Sequence, residues 1–386
     1  MNTTTVSART EAKHLVTPED LHALARFTDP KAQAISFYFC LPSAADNSHR
    51  QEVVLIKDMI QEIFKRFPHG APPAGLLQDL EALQTVTGEI REAPARLTAI
   101  FACRDQQEWQ EFNLPALNAV SRLEPGRHFN LAPLLAAAES CAPYVVVLIE
   151  RGKARGFEAR GTEIEEVKDF FTVKDLGHAE NSRMGWSHSV DSSLLEKSRT
   201  AARELAEEMQ RFMALRHCSR LIVGCRDDLW GEFAQFFGAE LLLAVIGRFH
   251  LPGFEVAAAD VQKLAIPLFQ EYQRKRRADL VHEIKETPAR RAAGMEQVLA
   301  RLQEGRVQKL LLGVTPDQKI LECTACGHLQ MEIAGATCRS CSNKGLQATS
   351  AEEALTRQAL LIDAEVLVAS AGVAEGFDGV AGLLRY

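Results

Sequence analysis

Four cysteines carry the clearest chemistry in this chain of 386 residues. Cys323-x-x-Cys326 and Cys338-x-x-Cys341 are separated by eleven residues. Each Cys-x-x-Cys turn places two sulfurs on one side of a metal, so the two pairs together suit tetrahedral zinc. Gly327 follows the first pair and supplies the conformational freedom such a knuckle needs. The competing readings are a redox pair or two unconnected thiol pairs. The other five of the nine cysteines are scattered singly and read as core residues. Four thiolates complete a zinc shell and leave no position for water or substrate, which makes the site structural rather than catalytic.

Two basic clusters and one polar stretch are the remaining candidates. Arg274, Lys275, Arg276 and Arg277 are consecutive, and on a helix four consecutive residues form a collar rather than a stripe. A solvated linker helix and contacts to RNA phosphates explain that run equally well. Arg151, Lys153 and Arg155 sit at a hairpin, where alternate residues point the same way. Within the polar stretch 178–191, Trp186 is flanked by Gly185, Ser187 and His188. Such an aromatic either folds back onto its domain or stacks on nucleic-acid bases. His188 has the reference pKa of a general base, but a loop histidine with no partner in sequence reads as solvated.

The elements that must position these residues follow an α/β pattern. The length predicts two or three domains. A hydrophobic fraction of 46% with 25% charged residues is that of a globular protein. No run of about eighteen apolar residues occurs, so no membrane span is expected, and the first twenty residues lack the apolar core of a secretory signal. Unpaired cysteine usage fits a reducing cytosol. The net charge of −7 argues against indiscriminate coating of nucleic acid and leaves docking on RNA through local patches open.

Thr17-Pro18 caps a first helix, 35–41 is a strand, and 53–67 is an amphipathic helix followed by a loop over 69–75. Segments 97–103 and 108–112 form a strand pair. A second unit opens with strand 144–149, a returning strand 154–160 and a long helix 192–215. Strand 221–224, helix 229–237 and strand 241–246 come next, which predicts a mixed sheet covered by helices. A helix fills 256–286, Thr287-Pro288 restarts another, and 307–312 is a strand. The cysteine module then interrupts the α/β alternation. Ser350-x-x-Glu353 reads as a capping box for the next helix, and 365–369 and 380–384 are strands.

In this order the pieces resemble the archaeo-eukaryotic class-I peptide-chain release factor and Pelota superfamily, in its divergent bacterial branch. The tail "EGFDGVAGLLRY" is similar to the superfamily's acidic-glycine stretch ending in Leu-Arg-Tyr. Upstream, "GMEQVLARLQEGRVQKLLLG" is similar to its third-domain helix and strand, and the cysteine quartet stands where some members carry one. The resemblance is specific over 294–386 and rests on the order of elements over 144–247. It implies three α/β domains: 1–125, an RNase-H-like middle domain at 126–250, and 251–386. The last would be an α-β-α sandwich with a zinc-ribbon insertion at 320–346.

Departures from the family pattern set the expected function. Members that release peptides carry Gly-Gly-Gln before the long middle-domain helix. Here the corresponding stretch reads Arg183-Met184-Gly185-Trp186-Ser187-His188-Ser189, with no second adjacent glycine and no glutamine anywhere in 178–197. Without a motif to orient water, the proximity term of such catalysis is missing. The codon-reading Asn-Ile-Lys-Ser loop is also absent, and Tyr38-Phe39-Cys40 reads as ordinary core strand. An RNase-H-like domain invites a nuclease reading, but Glu150, Asp227 and Asp228 are too few for a two-metal site. The expectation is a non-hydrolytic ribosome-binding factor in the A site, acting in rescue or hibernation. It would work in the cytoplasm with ribosomal RNA and a translational GTPase as partners, and with neither DNA nor membrane. The alternatives are a peptidyl-tRNA hydrolase with an altered loop, or an RNA-binding module that does not act on intact ribosomes.

Overall fold

A computed structural model of the chain describes residues 12–40, 51–67, 70–89, 96–115, 121–150, 153–161, 163–172, 188–251, 253–313, 318–331, 337–369 and 375–386. The chain divides into two compact units. One combines Met1–Ser140 with Arg276–Tyr386, and the other is Cys141–Lys275.

The first unit begins with α1 (Pro18–Arg26), where Thr17 Oγ1 accepts from the Asp20 N–H and the Asp20 carboxylate accepts from the Thr17 N–H. This is the expected cap, with Pro18 in the first turn. There follow β1 (Ala34–Cys40), α2 (Gln51–Lys65), α3 (Ala74–Glu89), β2 (Arg96–Cys103), β3 (Glu108–Pro115), β4 (Arg122–Gly126) and α4 (Ala132–Ser140). The strands form an antiparallel sheet in the order β3-β2-β1-β4. Strand alternation gives β1 two apolar faces. Ile35, Phe37 and Phe39 pack with Ile56, Ile60 and Ile63 of α2 and Leu76, Leu80 and Leu83 of α3. On the other face Tyr38 meets Phe101, which touches Phe112 and Phe129.

The second unit contains β5 (Tyr144–Glu150), β6 (Lys153–Arg160), β7 (Glu163–Thr172), α5 (His188–Leu215), β8 (Leu221–Cys225), α6 (Asp227–Ala234), α7 (Ala239–Ala244), β9 (Val245–His250) and most of α8 (Ala258–Glu286). The sheet order is β7-β6-β5-β8-β9. Strands β7, β6 and β5 are antiparallel, whereas β5, β8 and β9 are parallel. This is the expected mixed sheet. Val145, Val147 and Ile149 face Leu205, Met209 and Phe212 of α5, while Tyr144, Val146 and Leu148 face Val261, Ala265 and Phe269 of α8. Covering both faces is why β5 reads as a continuous apolar run. The apolar run 241–246 is not the single strand expected. It splits into the end of α7 and the start of β9, because Leu and Ala favour helix up to the β-branched pair Val245-Ile246.

The chain then returns to the first unit with β10 (Arg291–Ala293), α9 (Met295–Gln303), β11 (Val307–Leu312), β12 (Lys319–Cys323), β13 (Leu329–Gln330), β14 (Leu346–Ser350), α10 (Ala351–Leu361), β15 (Glu365–Val368) and β16 (Val380–Leu384). One sheet has the order β10-β16-β11-β15, and a small antiparallel sheet the order β13-β12-β14. Leu310 and Leu312 pack with Val298 and Leu302 of α9 and Leu355 and Ala359 of α10. Leu311, Ala381 and Leu383 pack with Leu280 and Ile284 of α8. Helices therefore cover both sheet faces. Thr287-Pro288 does not restart a helix. It opens a short 3-10 turn, and β10 then pairs with β16 before Gly294, at φ +78°, admits the chain to α9.

Candidate functional site

The two cysteine pairs are built by one backbone device used twice. The Gly327 N–H donates to the Cys323 carbonyl at 2.9 Å, and the Ser342 N–H donates to the Cys338 carbonyl at 2.8 Å. Gly327 lies at φ +72° and Ser342 at φ +60°. The residue after each pair thus turns in the left-handed region, which glycine enters freely and serine at some cost. The Ser340 N–H also points at Cys338 Sγ, 3.4 Å away. Gln330 Oε1 accepts from the Arg339 N–H at 2.9 Å, which ties the second knuckle to β13. Gln303 of α9 donates to the Leu329 carbonyl and accepts from its N–H, at 3.0 and 2.9 Å, fixing β13 to the helix.

The four sulfurs lie within 4.8 Å of one another. Cys323 and Cys341 are 3.6 Å apart, as are Cys326 and Cys338. A disulfide needs about 2.05 Å. A tetrahedron with metal–sulfur bonds of about 2.3 Å has edges of about 3.8 Å, close to what is seen. Burial raises the Cys338 thiol pKa, but N–H groups of Cys341 and Ser340 outweigh it and hold the thiol down at about 7. The quartet can therefore hold a metal ion, and four thiolates are a donor set for a soft tetrahedral one. It is the one such group among the described residues. Asp228 pairs with Arg226, which lowers its pKa to about 2, and among the described residues Asp227 and Glu150 join no metal-binding cluster.

Among the described basic candidates, Lys153, Arg155, Arg274, Arg276 and Arg277 have intramolecular partners. Arg155 makes two bonds to Glu166, at 2.6 and 2.7 Å, and donates to the carbonyls of Phe254 and Val256. Lys153 lies 3.4 Å from Glu150 and over the Phe254 ring. Arg274 pairs with Glu271 one turn back. Arg276 and Arg277 both reach Glu139, Arg276 also pairs with Glu365, and Arg277 donates to the Val368 carbonyl. The side chain of Lys275 is exposed. Arg151, Gly185, Trp186 and Ser187 lie outside the described residues. His188 begins α5, and its side chain is likewise outside them.

A polar junction within the first unit was not anticipated. His128 Nε2 lies 2.9 and 3.0 Å from the two oxygens of Glu322. Arg357 approaches the same carboxylate at 3.7 Å and donates from Nε to the Ala25 carbonyl. Arg122 pairs with Glu352 at 2.9 Å, and Asn130 Nδ2 bridges Glu124 and Glu352. Burial opposes ionisation of Glu322, but the His128 bond and charge outweigh it and lower its pKa. Glu353 differs: burial, then the charges of Glu124 and Glu322, push it up to about 8. The expected Ser350–Glu353 capping box is not formed, since Ser350 makes no side-chain capping bond. The Ala351 N–H donates instead to the Gln318 carbonyl, and the Glu353 carboxyl turns towards Gly126. The sequence signal was slight: acids in a helix first turn read as dipole partners.

Residues 130–270 match the model of a family described as "Bacterial archaeo-eukaryotic release factor family 10". No curated protein matches the chain. Among solved structures the chain is similar to the archaeal translation termination factor aRF1, at 15% identity over 96% of this chain and 99% of that one, with a TM-score of 0.26. It is similar to Archaeoglobus fulgidus Pelota at 13% identity over 97% and 93%, with a TM-score of 0.34. It is also similar to S. cerevisiae Dom34, described as a translation termination-like factor interacting with Hbs1, at 11% identity over 97% and 94%, with a TM-score of 0.39. The family match takes in the whole sheet of the second unit, where the sequence offered an order of elements rather than a motif. Residues 130–270 are thus similar to bacterial archaeo-eukaryotic release factors, in agreement with the resemblance to the divergent bacterial branch of the release-factor superfamily.

Proposed function

We propose that this chain is a ribosome-binding translation factor that occupies the A site without hydrolysing peptidyl-tRNA, in rescue of stalled ribosomes or protection of idle ones. The family match over 130–270 supports the translational setting. The observation that carries the non-hydrolytic half is the stretch 183–189, with Gly185 as its one glycine and no glutamine in 178–197. A water cannot be oriented there as Gly-Gly-Gln would orient it, so binding remains and cleavage is lost. In this reading 126–250 is an RNase-H-like middle domain, and Gly185, Trp186, Ser187 and His188 form its RNA-contacting tip. Segment 251–386 receives a translational GTPase. The cysteine quartet holds zinc, whose full thiolate shell would stiffen the insertion and take no part in chemistry.

Co-sedimentation with vacant and stalled ribosomes tests the proposal. The factor should pellet with ribosomes, and more weakly as salt rises, because neutralising RNA phosphates releases counterions. Failure to pellet at any salt would remove the ribosome from the account.

A further inference from the structure

The four sulfurs of the cysteine module differ in access. Of the nine cysteines, only Cys326 and Cys341 are exposed; Cys40 is half-buried and the other six are buried. Cys323 and Cys338, at 0% and 2% exposure, are closed to solvent. Each knuckle therefore carries a shielded thiol first and a reachable one last. Susceptibility to oxidants follows thiolate character and exposure, which directs attack to Cys326 and Cys341.

The sulfur–sulfur distances cross that pattern. Reachable Cys326 has shielded Cys338 3.6 Å away, and reachable Cys341 has shielded Cys323 at the same distance. Both of these pairs run between the knuckles rather than within a Cys-x-x-Cys turn. The Cys323 N–H donates to the His328 carbonyl and the Cys338 N–H to the Asn343 carbonyl, both at 2.9 Å. Those bonds anchor the shielded residue of each knuckle. A thiol that an oxidant can reach, beside one that it cannot, is the arrangement of an attacked cysteine and its resolving partner. Each pair has to close from 3.6 Å to about 2.05 Å to become a disulfide.

We propose that the cysteine module is an oxidation site for peroxide-class oxidants, which close two disulfides between the knuckles, Cys326–Cys338 and Cys323–Cys341. The thiolate of Cys326 attacks one peroxide oxygen. The S–O bond forms, the O–O bond breaks, and the departing hydroxide takes a proton. The thiolate of Cys338 then attacks the oxidised sulfur. The S–S bond forms, and the S–O bond breaks with loss of a second hydroxide, which is protonated to water. Each disulfide thus gives up two electrons and reduces one peroxide to two waters. Cys341 and Cys323 repeat the sequence. This is a modification of the module, not a step in translation. Its metal consequence rests on the zinc reading: a shell that loses its thiolates to disulfides no longer holds the ion.

Hydrogen peroxide added to the purified full chain tests this. Metal content is measured beforehand; a metal-indicator dye, thiol titration and disulfide mapping by mass spectrometry follow the reaction. About one zinc per chain should appear in solution as the four thiols of the module are lost. Reduction with a dithiol in the presence of zinc should reverse both changes. Cys40→Ser should release the metal at the parent's rate, since that half-buried thiol lies outside the module. Fragment masses should join Cys341 to Cys323 and Cys326 to Cys338. Disulfides within the pairs, Cys323–Cys326 and Cys338–Cys341, would overturn the proposal. So would sulfinic acid without any disulfide, or four intact thiols in a large excess of peroxide. Protein that holds no metal beforehand would contradict the zinc reading alone, and the disulfide map would still decide the thiol pairing.

Discussion

His128 and Glu322, 194 positions apart in the chain, meet through 2.9 and 3.0 Å contacts with both side chains almost wholly buried. The pair joins the loop after β4 to the strand that carries the first metal-binding cysteine, so the two ends of the chain fold as one unit. Removing His128 strips the buried Glu322 carboxylate of its closest hydrogen bonds and leaves Arg357, 3.7 Å away, beside it. His128→Ala is expected to destabilise the first unit by about 1–3 kcal/mol, the cost of losing a buried hydrogen bond, and to leave the second unchanged. Calorimetry resolving two transitions checks this. Equal loss in both would show that the two units do not unfold independently. The double variant His128→Ala/Glu322→Gln should recover part of the loss.

Glu353 makes the first unit sensitive to alkali. Its carboxyl keeps a proton to about pH 8 in the folded chain, against an ordinary value of 4.5. Between those values the unfolded chain releases a proton that the folded chain retains, so stability falls as pH rises and levels off above about 8. Glu353→Gln should match the parent near pH 5 and exceed it near pH 9 by roughly 2–4 kcal/mol, below the full linkage value of roughly 1.4 kcal/mol per pH unit. Urea titrations at the two pH values measure it. An unchanged slope would mean the carboxyl is already ionised at neutral pH.

Purified protein should carry about one zinc per chain by elemental analysis. Cys326→Ser should lose it, because the sulfur of Cys326 lies 3.6 Å from that of Cys338 and the hydroxyl is a poor substitute. The first unit should then unfold several kcal/mol more easily, and the second should melt as before. A metal-free protein with an intact first unit would remove the metal-centre claim.

The basic run on α8 should divide by partner. Arg277→Ala strips the 2.9 Å bond to Glu139, whose pKa burial already raises, and should cost about 1–3 kcal/mol. Lys275→Ala, at an exposed position, should stay within about 0.5 kcal/mol. Should ribosome binding fall more in Lys275→Ala than in Arg277→Ala, that lysine carries the phosphate contact.

The legible parts of the fold were those with strong local signals. Strands 35–41, 144–149 and 307–312 are apolar runs with β-branched or aromatic residues, and all three are present as β1, β5 and β11. The cysteine quartet was legible because its spacing is short and its chemistry narrow. Helix α3 was missed, since Gly75, Thr85, Thr87 and Gly88 lower its intrinsic propensity and packing on β1 decides it. The junction was missed for another reason. His128, Glu322 and Glu353 are solitary polar residues in sequence, and only the folded topology makes them neighbours. The basic clusters read equally as solvated charges and as phosphate ligands because sequence shows a charge but not its partner, as with Arg155 and Glu166.

The most direct measurement adds the factor to ribosomes carrying labelled peptidyl-tRNA and follows both pelleting and release of the label. The account predicts that the protein pellets with the ribosomes while the peptide stays attached to its tRNA. Release above background that vanishes in Gly185→Ala or His188→Ala would contradict it.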